Sequence, residues 1–134
     1  MTLWLRYLWA FPATAVGLVF VVLAWLSGGR ARLVDGVIEV EGGLVRRFML
    51  GGMLGFTAAS ARTLGHVILG MDQANLDSSR IHERTHVRQY ERWGMLLLPA
   101  YLASSWSAWR RGLDPYHDNR FEREAFDAER IAAS

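Results

Sequence analysis

His82, Glu83 and His86 stand in the run "RIHERTHVRQYERWG" at positions 80–94, spelling His-Glu-x-x-His. On a helix, residues four apart lie one turn apart on the same face, so both imidazoles can reach one metal ion. Glu83 points to the side of that pair, where its carboxylate can take a proton from water without being a ligand. Zinc suits this donor set, because it accepts imidazole and carboxylate and lowers the pKa of a bound water to about 7. The chemistry that follows is hydrolysis with Glu83 as general base and later as acid.

A catalytic zinc has three protein ligands and a fourth position open to water. The chain contains no cysteine, which excludes thiolate ligands, disulfides and cysteine nucleophiles together. The residues after His86 lack the Gly and third His of the extended motif, so the third ligand is expected to be a carboxylate from a later helix. "NRFEREAF" at 119–126 offers Glu122 and Glu124. They are separated by about 200° around a helix, so only one can face the metal. Tyr116, His117 and Arg120, just before them, are candidate donors to a developing oxyanion.

"HERTH" followed after about 35 residues by "EREAF" resembles the gluzincins. Their metal is held by the two histidines of H-E-x-x-H and a glutamate on a following helix, often written E-x-x-A-D or N-E-x-x-x-D. The likeness extends to thermolysin-type peptidases, single-domain minigluzincins and the membrane-bound CAAX-type and heat-shock zinc proteases, and it covers residues 78–128. Matching Ala125 to the alanine of that pattern implies His82, His86 and Glu122 as zinc ligands. Where the family has an aspartate that steadies a metal-bound histidine, this chain has Phe126. Asp127, Asp118 or backbone carbonyls are then expected to take that role. The resemblance also implies that a strand beside the active helix, here "TLGHVILG", holds a peptide substrate by strand addition.

These residues need elements to position them. The motif helix is expected from about 78 to Arg92, capped by Asp77 or Ser78 after a loop "MDQANLDSS" and stopped at Gly94. An apolar helix over 95–109 and a last helix over about 119–132 follow. "LVDGVIEVE" at 33–41 reads as a hairpin or two short strands around Asp-Gly. "RRFMLGGMLGFTAASA" reads as an irregular strand or close-packed loop, and Val67–Leu69 as a strand that breaks at Gly70. Arg84, Arg88 and Arg92 form a stripe expected to be a solvated face, with Gln89 and Trp93 packing against the last helix. His66 is expected in a strand as a structural histidine.

Between Arg6 and Arg30 lie 23 residues without a charge, enough to cross a hydrocarbon core of about 30 Å. Tyr7, Trp9 and Trp25 stand near its ends, where amphipathic rings favour the interface. A cleaved signal peptide would have a shorter apolar region and a small-x-small site. Arg30, Arg32, Arg46 and Arg47 outnumber Arg6, placing the C-terminal domain on the cytoplasmic side of a bacterial-type inner membrane. Residues 95–109 are short for a second span. If they crossed once, the ligands would lie on opposite sides of the bilayer, so this helix is expected in the domain or against the lipid, with Trp106 and Trp109 at the interface.

At 134 residues the chain holds one compact domain and cannot be a two-domain enzyme. The expected fold is α+β: a transmembrane anchor over 1–29, then a single zincin-like domain over 30–134 with a small β-sheet, the motif helix and a ligand-bearing C-terminal helix. A net charge of +2 is too small for a nucleic-acid partner, which leaves membrane lipid and a peptide or protein substrate. The expected function is membrane-anchored, Zn2+-dependent peptide hydrolysis. The alternative is a membrane protein whose metal is structural or catalytically degenerate, with His117 closing the fourth position.

Overall fold

A computed structural model describes residues 2–50 and 61–134. The chain begins with helix α1 (Leu3–Leu26) and continues through strands β1 (Arg30–Val34) and β2 (Val37–Glu41) into a short helix α2 (Gly43–Leu50). Strands β3 (Ala61–Leu64) and β4 (Val67–Gly70) precede the long helix α3 (Gln73–Trp93). A single 3-10 turn, Gly94–Leu96, leads into α4 (Leu97–Arg110), and α5 (Arg120–Ala133) ends the chain. The fold is α+β, with one apolar N-terminal helix, a mixed four-stranded sheet and a helical second half.

Asp35 and Gly36 both have positive φ, 46° and 80°, as a two-residue turn needs if its twist is to match the strands. They pair β1 with β2 antiparallel, so the hairpin expected at 33–41 forms, its first strand starting at Arg30. β2 runs parallel to β4, and β4 pairs antiparallel with β3, giving the order β1-β2-β4-β3. Gly70 does not break β4 but pairs with Ala61 and Glu41, because no side chain fits there: a Cβ would lie 2.6 Å from Leu76. His66 lies in the tight turn between β3 and β4, not in a strand. Of the stretch expected as irregular strand or loop, 46–50 are helical in α2 and 51–60 lie outside the described residues.

Alternation along the strands sorts side chains between two layers. Val40, Val67 and Leu69 pack with Ala24 of α1 and with Val45 and Met49 of α2. On the opposite face, Val37 and Ile68 pack with Leu76 and Val87 of α3. That face also carries Glu39, almost fully buried, which accepts two 2.8 Å hydrogen bonds from Arg80 of α3. A bidentate pair of this kind fixes rotation as well as distance, so α3 can present only one face to the rest of the domain.

α3 starts earlier than its sequence signals indicate. Asp72 is the N-cap, accepting from Asn75 N at 2.8 Å, and "QANLDSS" is helical. A run rich in Asp, Asn and Ser ordinarily favours loops because these side chains compete for the backbone. Here Leu76 is buried against Gly70, and Gln73 donates to Asp77 one turn on, so tertiary burial overrides local preference. Arg84 reaches from the arginine stripe to the carbonyl oxygens of Val34 and Asp35 in the hairpin turn.

α1 is the one described helix long and apolar enough to cross a membrane. It also packs on the domain along most of its length, through a stripe of small residues: Ala10, Ala13, Gly17 and Ala24. Gly17 meets Val67 so closely that a Cβ there would lie 2.6 Å from the Val67 Cβ and 3.1 Å from the Leu64 carbonyl oxygen. Gly17→Leu is therefore expected to cost about 1–3 kcal/mol of stability through overpacking. Leu18→Ala, at a half-exposed position on the outer side, is expected to cost well under that, as read by denaturant unfolding of the two variants in the same detergent.

Candidate metal centre

His82 and His86 lie on the face of α3 that meets the first turn of α5. Asn119, fully buried, caps α5: its Oδ1 accepts from Phe121 N at 2.9 Å, while its amide donates to the Tyr101 carbonyl and the Ser105 hydroxyl. The cap sets Glu122 as the third helical residue, where the helix dipole favours a carboxylate. Glu122 Oε2 lies 2.9 Å from His82 Nε2 and Oε1 lies 3.0 Å from His86 Nε2. One ligand atom from each of the three residues falls within 4.8 Å of the others, and all three side chains are nearly or fully buried.

The outer nitrogens of the two rings are held by other groups. Gln89 donates its amide N–H to the Phe121 carbonyl at 3.0 Å, which turns its Oε1 toward His86 Nδ1 at 2.8 Å. His86 Nδ1 must then carry the proton. His82 Nδ1 lies 3.3 Å from Glu129 Oε1, a carboxylate that can only accept. His86 Nε2 therefore points its lone pair at the Glu122 carboxylate, and His82, with a carboxylate oxygen near each ring nitrogen, does the same when its proton sits on Nδ1, so that three buried acceptors converge. Such a cluster requires a positive centre, either protons on the rings or one metal ion, and its imidazole and carboxylate donors suit zinc. His82, His86 and Glu122 could hold a metal ion.

Without a metal, protons take that place. Burial pulls His86 toward its neutral form, but the Glu122 carboxylate outweighs it and holds the ring above the usual histidine range. Burial opposes the charge on Glu122 too, yet hydrogen bonds from His82 and His86 hold it well below the usual carboxylate range. Tyr101 of α4 adds a further donor, its hydroxyl 2.9 Å from Glu122 Oε1. Burial and that same carboxylate push its phenol well up, so it stays a donor.

Glu83, also buried, is turned toward the sheet. The Thr63 hydroxyl of β3 lies 2.6 Å from Glu83 Oε2, and the charge of Glu83 is near enough to raise both His86 and Tyr90, the latter pushed up to about 12 chiefly by burial. Tyr116 is half-exposed; burial, then Glu122 and Glu83, push its phenol up, which puts its hydroxyl in the field of the site. His117 is exposed, with Nδ1 3.3 Å from Asp114 and its ring stacked on Phe126. Arg120 lies over the rings of Trp93 and Phe121. Glu124 is exposed and faces Gln89 at 3.3 Å, on the other side from the three ligand atoms.

Asp127 and Asp118, expected from sequence to steady a histidine, are engaged elsewhere: Asp127 with Arg130 and Asp118 with the Asp114 backbone. Phe126 packs edge-on against His82 at 4.7 Å, and Glu129, two turns beyond Glu122 on the same face, reaches the ring instead. Gln89 orients a histidine where packing was expected, whereas Trp93 does pack, edge-on against Phe121. Tyr101, Thr63 and Glu129 carry no signal in the linear motif. The one available hint for Tyr101 is a lone phenol in an apolar helix between the two ligand-bearing helices.

No protein-family model, curated protein or solved structure matches the chain.

Gln89→Leu leaves His86 without its outer partner and is expected to weaken binding of an added divalent metal ion about 10–100-fold with the helix intact, measured by competition with a chromogenic chelator. A pH test follows from the paired shifts. Glu122, whose pKa is lowered, contributes stability above about 4.5 that is lost as pH falls through its folded value. His86, whose pKa is raised, contributes stability fully present below about 6.5 that is lost as pH rises through its folded value. Relative to Glu122→Gln, the metal-free protein is expected to gain most in melting temperature between these limits and to lose that gain at higher pH.

Proposed function

We propose that the chain is a membrane-associated, zinc-dependent peptide hydrolase of gluzincin type, with a zincin-like arrangement of sheet edge, motif helix and ligand helix. The observation that carries this reading is the convergence of three buried acceptors, His82 Nε2, His86 Nε2 and a Glu122 oxygen, with a fourth carboxylate, Glu83, beside them but outside the set. A purely structural tie between helices would not need Glu83 buried one residue from a ligand.

Bound by His82, His86 and Glu122, zinc would supply Lewis acidity toward water and a substrate carbonyl. The chain's own groups do the rest. Glu83 receives the proton of the attacking water on its carboxylate and delivers it to the leaving amine. Thr63 holds one Glu83 oxygen at 2.6 Å, which fixes the other in orientation. Gln89 and Glu129 keep both rings in the tautomer whose Nε2 is free to ligate. Tyr116, neutral at ordinary pH, is the group best placed to donate to an oxyanion. β3 is the end strand of the sheet, and its neighbour Glu83 sets the reactive position, so an extended peptide added along β3 would lie beside the base.

The test is metal content and peptide cleavage measured on the same preparations. Wild type is expected to hold about one zinc per chain and Glu122→Ala to lose it, while Glu124→Ala keeps it. Glu83→Gln is expected to retain zinc and lose about 10²–10⁴ in turnover of a quenched-fluorescent peptide library. Zinc retained with no cleavage by wild type would instead mark a structural or degenerate site. Full activity in Glu83→Gln would remove Glu83 as the base.

A further inference from the structure

Two helices carry apolar faces with no protein partner among the described residues. On α1, Trp4, Leu8, Phe11, Leu18, Val22 and Trp25 are exposed on the side opposite the small residues that dock on the domain, and further exposed residues, Val16, Val19 and Leu23 among them, widen this into a broad apolar face. On α4, Leu98, Leu102, Trp106 and Trp109 are exposed at the same kind of spacing. α1 reaches the turn before α4 where Trp9 lies against Gly94 and donates to the Arg92 carbonyl at 3.2 Å, next to exposed Met95 and Leu96.

Charge is sorted the same way. All 13 acidic residues lie in 35–91 and 114–134, and none in 1–34 or 92–113, the segments that hold α1 and α4. Their only charges are Arg6, Arg30, Arg32, Arg92, Arg110 and Arg111, each exposed, with Arg110 over the Trp106 ring at 4.8 Å. Tryptophans at the ends of apolar stripes, with arginines beside them, match the order of a bilayer interface with anionic headgroups.

The docking of α1 decides how it meets that bilayer. Its inner side touches the domain from Tyr7, bonded to the Gly36 carbonyl at 2.8 Å, to Ala24, packed against Gly29. That is about 26 Å of helix at 1.5 Å per residue, nearly the thickness of the hydrocarbon core. Along this length lie the turn of Asp35 and Arg84, and the His66–Glu91 pair at 2.8 Å on which Tyr7 stacks. An α1 that crossed the bilayer while docked would carry these charged groups to the same depth, which hydrocarbon disfavours strongly.

We propose that α1 lies along an anionic bilayer rather than across it, with α4 as a second apolar stripe, so that the domain is seated on one leaflet as a monotopic membrane protein. This rests on the membrane half of the reading above and is independent of zinc and of hydrolysis. It replaces the single-pass anchor expected from composition.

The absence of cysteine makes the topology directly testable. Single Thr2→Cys and Arg30→Cys variants of the full chain, at exposed positions flanking α1, are labelled with an impermeant maleimide in right-side-out and inverted bacterial membrane vesicles. Both are expected to react in one orientation and both to be protected in the other. Reaction in opposite orientations would show that α1 crosses, and would overturn the proposal. In flotation with phosphatidylglycerol-containing vesicles, Leu102→Asp/Trp106→Asp is expected to lower the bound fraction about tenfold at unchanged circular dichroism. Equal flotation would remove α4 from the lipid face. Wild type needs no substitution: brominated phospholipid is expected to quench its tryptophan emission, and a protein that stays unquenched as a dimer in solution would show a second copy covering the face instead. Zinc content, read on each sample, separates failure of this proposal from failure of the metal site.

Discussion

The Glu122 carboxylate between His82 and His86 is the contact on which the helical half of the molecule turns. It joins a helix fixed to the sheet with one separated from it by 26 residues, and it is buried, so it tolerates neither a missing partner nor a poor geometry. The surrounding polar groups make it possible. Asn119 starts α5 at the residue that puts Glu122 in the first turn, and it ties that turn to α4 through Tyr101 and Ser105. Tyr101 then donates its hydroxyl to the same carboxylate. α4 is thus a spacer that leaves Leu98, Leu102, Trp106 and Trp109 exposed and turns Tyr101, Ser104 and Ser105 toward the first turn of α5.

On the other side of α3, the Arg80–Glu39 pair has the matching role. A long helix held only by Leu76 and Val87 against a sheet could slide or rotate, since apolar contacts are non-directional. Two hydrogen bonds from one guanidinium to one buried carboxylate remove that freedom. Rotation of α3 is therefore set by Glu39 at Arg80 and by Glu122 at His82 and His86, and Glu83, within that stretch, is directed to Thr63 on β3. The orientation of Glu83 follows from constraints that lie outside the motif itself.

The candidate metal-binding group was legible in sequence because it rests on local periodicity. Residues 82, 83 and 86 need only a helix to take up their relation, and Glu122 over Glu124 follows once one face of α5 must meet α3. The hairpin at Asp35-Gly36 is equally local, set by two residues that accept positive φ. What sequence did not reveal depends on distant burial. "DQANLDSS" reads as loop until Leu76 finds Gly70, and Gly70 reads as a break until its missing side chain proves to be what lets α3 approach β4. The partner of His66 is Glu91, 25 residues away, and the relation of α1 to the domain rests on Gly17 meeting Val67; neither has any local signature.

At Phe126, where an aspartate was the expected residue, a carboxylate reaches His82 from another position of the same helix. A carboxylate four residues after the ligand would reach a histidine from the next turn. Glu129, seven residues on, returns to nearly the same helix face, and its side chain is one methylene longer than an aspartate. With that role moved along the helix, the intervening position is free to be apolar. Phe126 covers the edge of His82 and itself lies under the His117 ring, beside the contact between His82 Nδ1 and the partly exposed Glu129. A carboxylate beside the outer nitrogen makes an imidazole the better donor through its Nε2.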